Sequence, residues 1–236
     1  MVDKIKKSLK NQIFFVIPVY NEEKVIGGVI KKLQEEGFSN LILINDGSKD
    51  NSSKIILKNK TKDLILLEHI INRGQGAALK TGIDYCLKQE NCKYIVTFDS
   101  DGQHRISDLV NFIKVLEKGK IEICLGSRFL KKESKDLVPF KKQIILKGAL
   151  VITWILSNLW LSDTHNGYRV MTKSGAKKID ITMDGFEHAS EIIDEIAKKK
   201  IKYKEVPVFI DYTNYSKVKG QKISNSIKIF LKMLFK

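Results

Sequence analysis

Four times between residues 13 and 118 the chain repeats one pattern: a short, unbroken apolar run, then a cluster rich in Asn, Asp, Glu, Gly or Ser, then a stretch with helical spacing. The runs at 13–19, 41–45, 65–69 and 94–98 are rich in β-branched and aromatic side chains and continuously apolar, as strands buried on both faces are. Pro18 is expected to stop the first of them. Helices are expected at 24–36, ended by Gly37, from about 53, at 77–90 and at 107–118. Strands of this kind alternating with helices imply a parallel sheet covered on both faces. Ligands of such sheets bind outside the carboxyl ends of the strands, and every polar cluster falls at one of those ends.

The densest cluster is Asp99-Ser100-Asp101-Gly102-Gln103-His104. Asp99 and Asp101 lie two apart at a strand end, where an extended backbone directs both to one side, and Gln103 continues the series with a neutral oxygen. Such oxygens suit a hard divalent cation, Mg2+ or Mn2+, that keeps waters and shares its other positions with a substrate's phosphates. Taken alone, Asp-x-Asp-Gly also reads as an ordinary turn.

Further along, a strand at 121–125 runs into Gly126-Ser127-Arg128-Phe129, and 131–142 is charged and reads as mobile. The apolar stretch 144–161 is interrupted by Lys147, too short for a span of about 20 residues, and reads as a buried or interfacial helix. Residues 163–169 read as a loop, 186–199 as a helix, and 203–210 as a strand placed at a sheet edge by Pro207. The organisation expected is one domain, 1–216, followed by a basic amphipathic helix, 217–236. That last segment has six lysines and no acid, with Ile223, Ile227, Phe230, Leu231 and Leu234 on one face and Lys222, Lys228, Lys232 and Lys236 on the other.

Forty-two Lys and Arg against 27 Asp and Glu give a net charge of +15, which favours polyanions: nucleic acid, an anionic membrane face or phosphorylated substrates. No nucleic-acid module is recognisable, so no nucleic-acid partner is expected. Cys86, Cys92 and Cys124 form no Cys-x-x-Cys pair and read as buried thiols. The lysine-rich start and the short run after it do not form a secretory signal, which points to the cytoplasm. Gly74-Gln75-Gly76-Ala77-Ala78-Leu79-Lys80-Thr81 lacks the third glycine of a dinucleotide fingerprint and the second glycine of a phosphate loop, which counts against hydride transfer and Walker-type hydrolysis.

Taken in order, Pro18-Val19-Tyr20-Asn21-Glu22, Asn45-Asp46-Gly47-Ser48-Lys49-Asp50, Asn72-Arg73-Gly74-Gln75-Gly76, Asp99 to His104, Gly126-Ser127-Arg128-Phe129 and Asn166-Gly167-Tyr168-Arg169 resemble family 2 glycosyltransferases. The resemblance is to the branch of dolichyl- and polyprenyl-phosphate sugar synthases in particular. It implies the GT-A nucleotide-sugar-binding fold, a Rossmann-like α/β arrangement. It implies donor-nucleotide contacts from Pro18, Tyr20, Glu22, Asp46, Gly74, Asp99 and Ser100, and a cation on Asp101 and Gln103 with Asp99 nearby. The implied catalytic group is Asp99, Asp101, Arg128 and Arg169, the two guanidinium forks holding donor or acceptor phosphates. Asn45 stands where the family often has an aspartate, which leaves Asp46 as the base-contacting carboxylate. The membrane-spanning C-terminal helices that many bacterial relatives carry are not expected here.

The implied reaction moves a sugar, with inversion and a divalent metal, from a nucleotide-sugar donor to a polyprenyl phosphate at the cytoplasmic membrane face. An alternative acceptor is a hydroxyl of a cell-surface glycan or its lipid-linked precursor, for which Glu187, Glu191 or Asp194 would supply the base. A non-catalytic nucleotide-sugar-binding protein is the reading from another class. An anionic membrane surface is an expected partner, with a small integral membrane protein as the alternative anchor.

Overall fold

The computed structural model describes residues 2, 5–136, 138, 143, 150, 158–164 and 166–211. In chain order the elements are α1 (Lys7–Lys10), β1 (Ile13–Val19), α2 (Ile26–Glu35), β2 (Leu41–Asp46), α3 (Ser52–Lys58), β3 (Leu64–His69), α4 (Gln75–Leu87) and β4 (Tyr94–Thr97). A 3-10 turn at Ile106–Asp108 leads into α5 (Leu109–Leu116), then β5 (Ile123–Ser127), α6 (Lys132–Asp136), β6 (Arg169–Thr172), α7 (Lys173–Lys178), α8 (His188–Lys198) and β7 (Tyr203–Pro207).

The strands form one sheet in the order β3-β2-β1-β4-β6-β5-β7. β3, β2, β1 and β4 are parallel neighbours, β6 runs antiparallel between β4 and β5, and β7 lies parallel to β5 at the far edge. Every residue of β1, β2, β4 and β5 is buried, because helices cover both faces. Phe15 and Ile17 pack with α2 and α5 on one face, through Ile30, Leu33, Phe112 and Leu116. Phe14 and Val16 point the other way, onto a layer built by α4, α7 and α8, including Ile83, Ala176 and Ile192. A β-carbon at Gly82 would come within 2.7 Å of Ile44 Cδ1, so α4 lies closer to the sheet than any other residue there would permit. The three cysteines are buried free thiols, and burial pushes Cys92 and Cys124 up to about 12.

The mostly parallel, doubly covered sheet is the expected one, with corrections in detail. Pro18 does not stop β1. Val16 C=O accepts from Phe98 N–H, so even-numbered positions of β1 face β4, and β4 has ended at Thr97, opposite Val16. A proline at 18 therefore forfeits no ladder bond. Residues 169–172 are a strand rather than the end of a loop, and short helices occupy α6 and α7 where none is expected. Pro207 does mark an edge strand. The expected amphipathic helix at 217–236 lies outside the described residues, as does most of the apolar stretch 144–161. No helix among the described residues is long and apolar enough to cross a membrane.

Candidate active site

The polar clusters after β1, β2, β3 and β4 meet at the carboxyl ends of the parallel strands. Asn21 N–H donates to Ser48 Oγ at 3.0 Å, Glu22 N–H to Ser52 Oγ at 2.8 Å and Glu23 N–H to Asp50 Oδ2 at 3.0 Å. The cluster after Asp46 thus stitches the loop carrying Tyr20 and Glu22 onto the end of β2. Asp46 is buried, and its carboxylate accepts from Arg73 N–H at 2.9 Å and Gly74 N–H at 2.7 Å and meets His69 Nδ1 at 2.7 Å. Those contacts seat the β3–α4 loop, so Asp46 anchors a wall of the site in addition to any contact with a nucleotide.

Asp99 stands at the centre, with its side chain 29% exposed. Gln75 Nε2, at the start of α4, donates to its Oδ1 at 2.9 Å, and His104 Nε2 meets its Oδ2 at 2.9 Å. From the third side the chain passes at Gly167, where a β-carbon would fall within 2.6 Å of Asp99 Oδ1. Burial pushes the Asp99 carboxyl up, but the His104 hydrogen bond, that ring's charge and the Arg169 guanidinium outweigh it and hold it below the ordinary aspartate value. Asp101 goes the other way: burial and the neighbouring Asp99 charge push its carboxyl up. Its oxygens accept from Gln103 N–H at 3.0 Å and Gln103 Nε2 at 2.7 Å.

Arg169 and Arg128 stand beyond β4, at the start of β6 and just past the end of β5. Arg169 follows Tyr168 into β6, opposite Thr97, and is 2% exposed. Burial pulls it down to about 10, against the charges of Asp99 and Asp163, so it stays protonated at neutral pH. Arg128 is also buried, and grips Asp163 through Nε–Oδ2 and Nη2–Oδ1 contacts of 2.7 Å each. Glu205 on β7 in turn accepts from Ser162 N–H at 2.9 Å and Asp163 N–H at 3.2 Å, fixing the 162–163 segment. Among the described residues, four buried side-chain atoms lack a partner: Arg169 Nη1, His104 Nδ1, Asn166 Nδ2 and Tyr168 Oη. All belong to the sequence motifs around Asp99. A buried polar atom left unpaired costs about 1–3 kcal/mol, so their concentration here marks ground shaped for something other than stability.

At the amino end of α8, Glu191 accepts from Thr182 and Met183 N–H at 3.0 Å each and also from Thr182 Oγ1. It holds the 180–187 loop and is not poised as a base. Beside it His188 Nδ1 meets Gly185 C=O at 2.8 Å, and burial, then the Arg169 charge, pull this ring down to about 4. His188 is therefore neutral at physiological pH. Sequence reasoning missed Gln75, Asp163 and His188: Gln75 was hidden among glycines whose spacing drew the attention, Asp163 meets an arginine 35 residues away, and His188 acquires its character from burial and from Arg169, which only the fold brings near.

Among the described residues no group of three or more His, Cys, Asp or Glu side chains is arranged to hold a metal. The residues nonetheless fit a divalent cation that is ligated mainly by substrate. Burial first, and then the charge of Asp99, disfavour the Asp101 carboxylate, a cost that a cation would offset, and Gln103, donating through Nε2 to Asp101, keeps its carbonyl oxygen as a further hard donor.

The family model for glycosyl transferase family 2 matches residues 14–180. The chain belongs to glycosyl transferase family 2. The glycosyltransferase is 37% identical over 95% of its length, and 92% of the other's, to an uncharacterized protein of Methanocaldococcus jannaschii. It is 31% identical, over 94% of each chain, to the UDP-N-acetylglucosamine–dolichyl-phosphate N-acetylglucosaminyltransferase of Methanococcus voltae. Among solved structures, glucosyl-3-phosphoglycerate synthase from Mycobacterium tuberculosis in complex with Mg2+ and UDP superimposes with a TM-score of 0.65 at 15% identity, covering 99% of this chain and 82% of that one. The fold is therefore the GT-A type expected from the motifs.

Proposed function

We propose that this glycosyltransferase moves a sugar, with inversion, from a nucleotide-sugar donor to the phosphate of a polyprenyl lipid at the cytoplasmic membrane face. The observation that carries the reading is the near full-length similarity to an enzyme named for transfer to dolichyl phosphate. The chemistry of the site supports it. A lipid phosphate oxygen is already ionised and needs no strong general base, whereas a sugar hydroxyl does. Of the carboxylates proposed for that role, Glu191 is committed to Thr182 and Met183.

On this reading Pro18, Tyr20, Glu22, Asp46, Gly74, Asp99 and Ser100 receive the donor nucleotide. Asp101 and Gln103 hold Mg2+ or Mn2+, with Asp99 alongside. The cation, when bound, stabilises the charge that gathers on the departing nucleoside diphosphate. Arg169 sets guanidinium charge beside Asp99, and Arg128 adds another at the end of β5, for the acceptor phosphate to approach. The lysine-rich segment 217–236 supplies peripheral attachment to an anionic membrane surface, each engaged lysine contributing about 1 kcal/mol; a small integral membrane partner is the alternative anchor. The test is a panel of nucleotide sugars incubated with the protein, with and without polyprenyl phosphate, scoring nucleoside diphosphate release. One donor should be consumed only when lipid phosphate and divalent cation are both present. Release that persists in excess chelator removes the metal, and release indifferent to lipid phosphate removes the acceptor.

A further inference from the structure

We infer that His104 is a positioning residue for the cation and diphosphate site, acting through its Nε2 contact with Asp99 rather than through packing. The inference rests on the metal-dependent reading above. His104 lies tilted between the rings of Phe98 and Tyr168, with centroids 5.2 and 5.0 Å away, and its backbone pairs with Ile210. Such a slot suits a phenylalanine, which would fill it without burying a nitrogen. The imidazole instead leaves Nδ1 buried and without a partner, while Nε2 reaches Asp99 Oδ2 at 2.9 Å. Since Asp99 can only accept, Nε2 carries the hydrogen, and one orphaned nitrogen is the cost of delivering that donor.

What the donor achieves follows from its opposite number. Gln75 holds Oδ1 and His104 holds Oδ2, so the carboxylate plane of Asp99 is fixed from both ends while Gly167 closes the side. Asp99 is then held in one orientation, two residues from Asp101, with which it would share the cation. Removing the His104 hydrogen frees Oδ2 to rotate, and outer partners of metal-site carboxylates are typically worth 10–100-fold in metal affinity or activity.

Two variants separate positioning from packing. His104→Phe keeps the ring and removes both the donor and the orphan. His104→Gln places an amide N–H four atoms from Cα, as Nε2 is in histidine. The readouts are the affinity for Mn2+ in the presence of UDP, by titration calorimetry, and the melting temperature, neither of which needs the lipid acceptor. The expected result is an affinity about 10-fold or more weaker in His104→Phe, with recovery to within a few-fold in His104→Gln. An affinity unaffected in His104→Phe, or a melting temperature that falls equally in both variants, overturns the inference while leaving the proposed function standing. No Mn2+-dependent binding by the parent protein of UDP, or of the nucleoside diphosphate whose donor the panel identifies, would overturn the two together.

Discussion

Arg128 and Asp163 form a buried two-point ion pair, with side chains 7% and 0% exposed, and Asp163 Oδ2 also accepts the Arg128 backbone N–H at 3.1 Å. One carboxylate thereby fixes both the guanidinium and the backbone of the turn that follows β5. Removing it takes from a buried cation the carboxylate that meets it at two points. Asp163→Ala should cost about 3–5 kcal/mol in urea unfolding, far more than an exposed pair would. A loss below about 1 kcal/mol would show that Arg128 reorients to water and that the pair does not shape this wall.

Gly167 is a second point where backbone geometry sets chemistry. A β-carbon there collides with the Asp99 carboxylate, which Gln75 and His104 prevent from swinging aside. Gly167→Ala should therefore displace Asp99 and lower kcat by about 100-fold, the scale for a misplacement near 1 Å, with the secondary structure unchanged by circular dichroism. Activity close to the parent's would mean that the position of Asp99 is not limiting.

Asp101 is held at a cost. Its raised pKa means that the fold disfavours its charge, so neutralising it should stabilise the protein. Asp101→Asn is expected to keep or raise the melting temperature while transfer falls by about 100-fold or more. A parallel loss of both would point to a structural role instead.

His188 supplies a pH dependence. Its folded pKa of about 4 lies below the unfolded value near 6.5, so between those values the unfolded chain binds the extra proton. Stability is complete above pH 6.5 and falls as pH drops towards 4, by about 3 kcal/mol from this group. Chemical denaturation at a series of pH values should show that slope, and His188→Gln should flatten it. An unchanged slope in the variant would assign the acid sensitivity elsewhere.

The four leading strands and the clusters at their ends were legible because burial on both faces and the needs of a strand-end site both leave local marks. β6 was not, because four residues inserted antiparallel carry no period of their own; Arg169 reads as the end of a loop until Thr97 is seen opposite it. Asp99 and Asp101 were recognisable as a pair, but their division was not. Asp99 is fixed by Gln75, His104 and Gly167, the first and last of them 24 and 68 residues from it in sequence, and kept ionised by His104 and Arg169. Asp163, the partner of Arg128, is 35 residues away, and only the fold joins them.

The account stands on a lipid phosphate as acceptor, and the linkage of the product tests that most directly. With a radiolabelled form of the donor that the panel identifies, Mn2+ and dolichyl phosphate, label should pass into the organic phase and be released again by mild acid, because a sugar joined to phosphate leaves readily as a glycosyl cation. Label that enters the organic phase but resists mild acid, or that joins only a soluble glycan, would contradict the account and place a hydroxyl at the acceptor site.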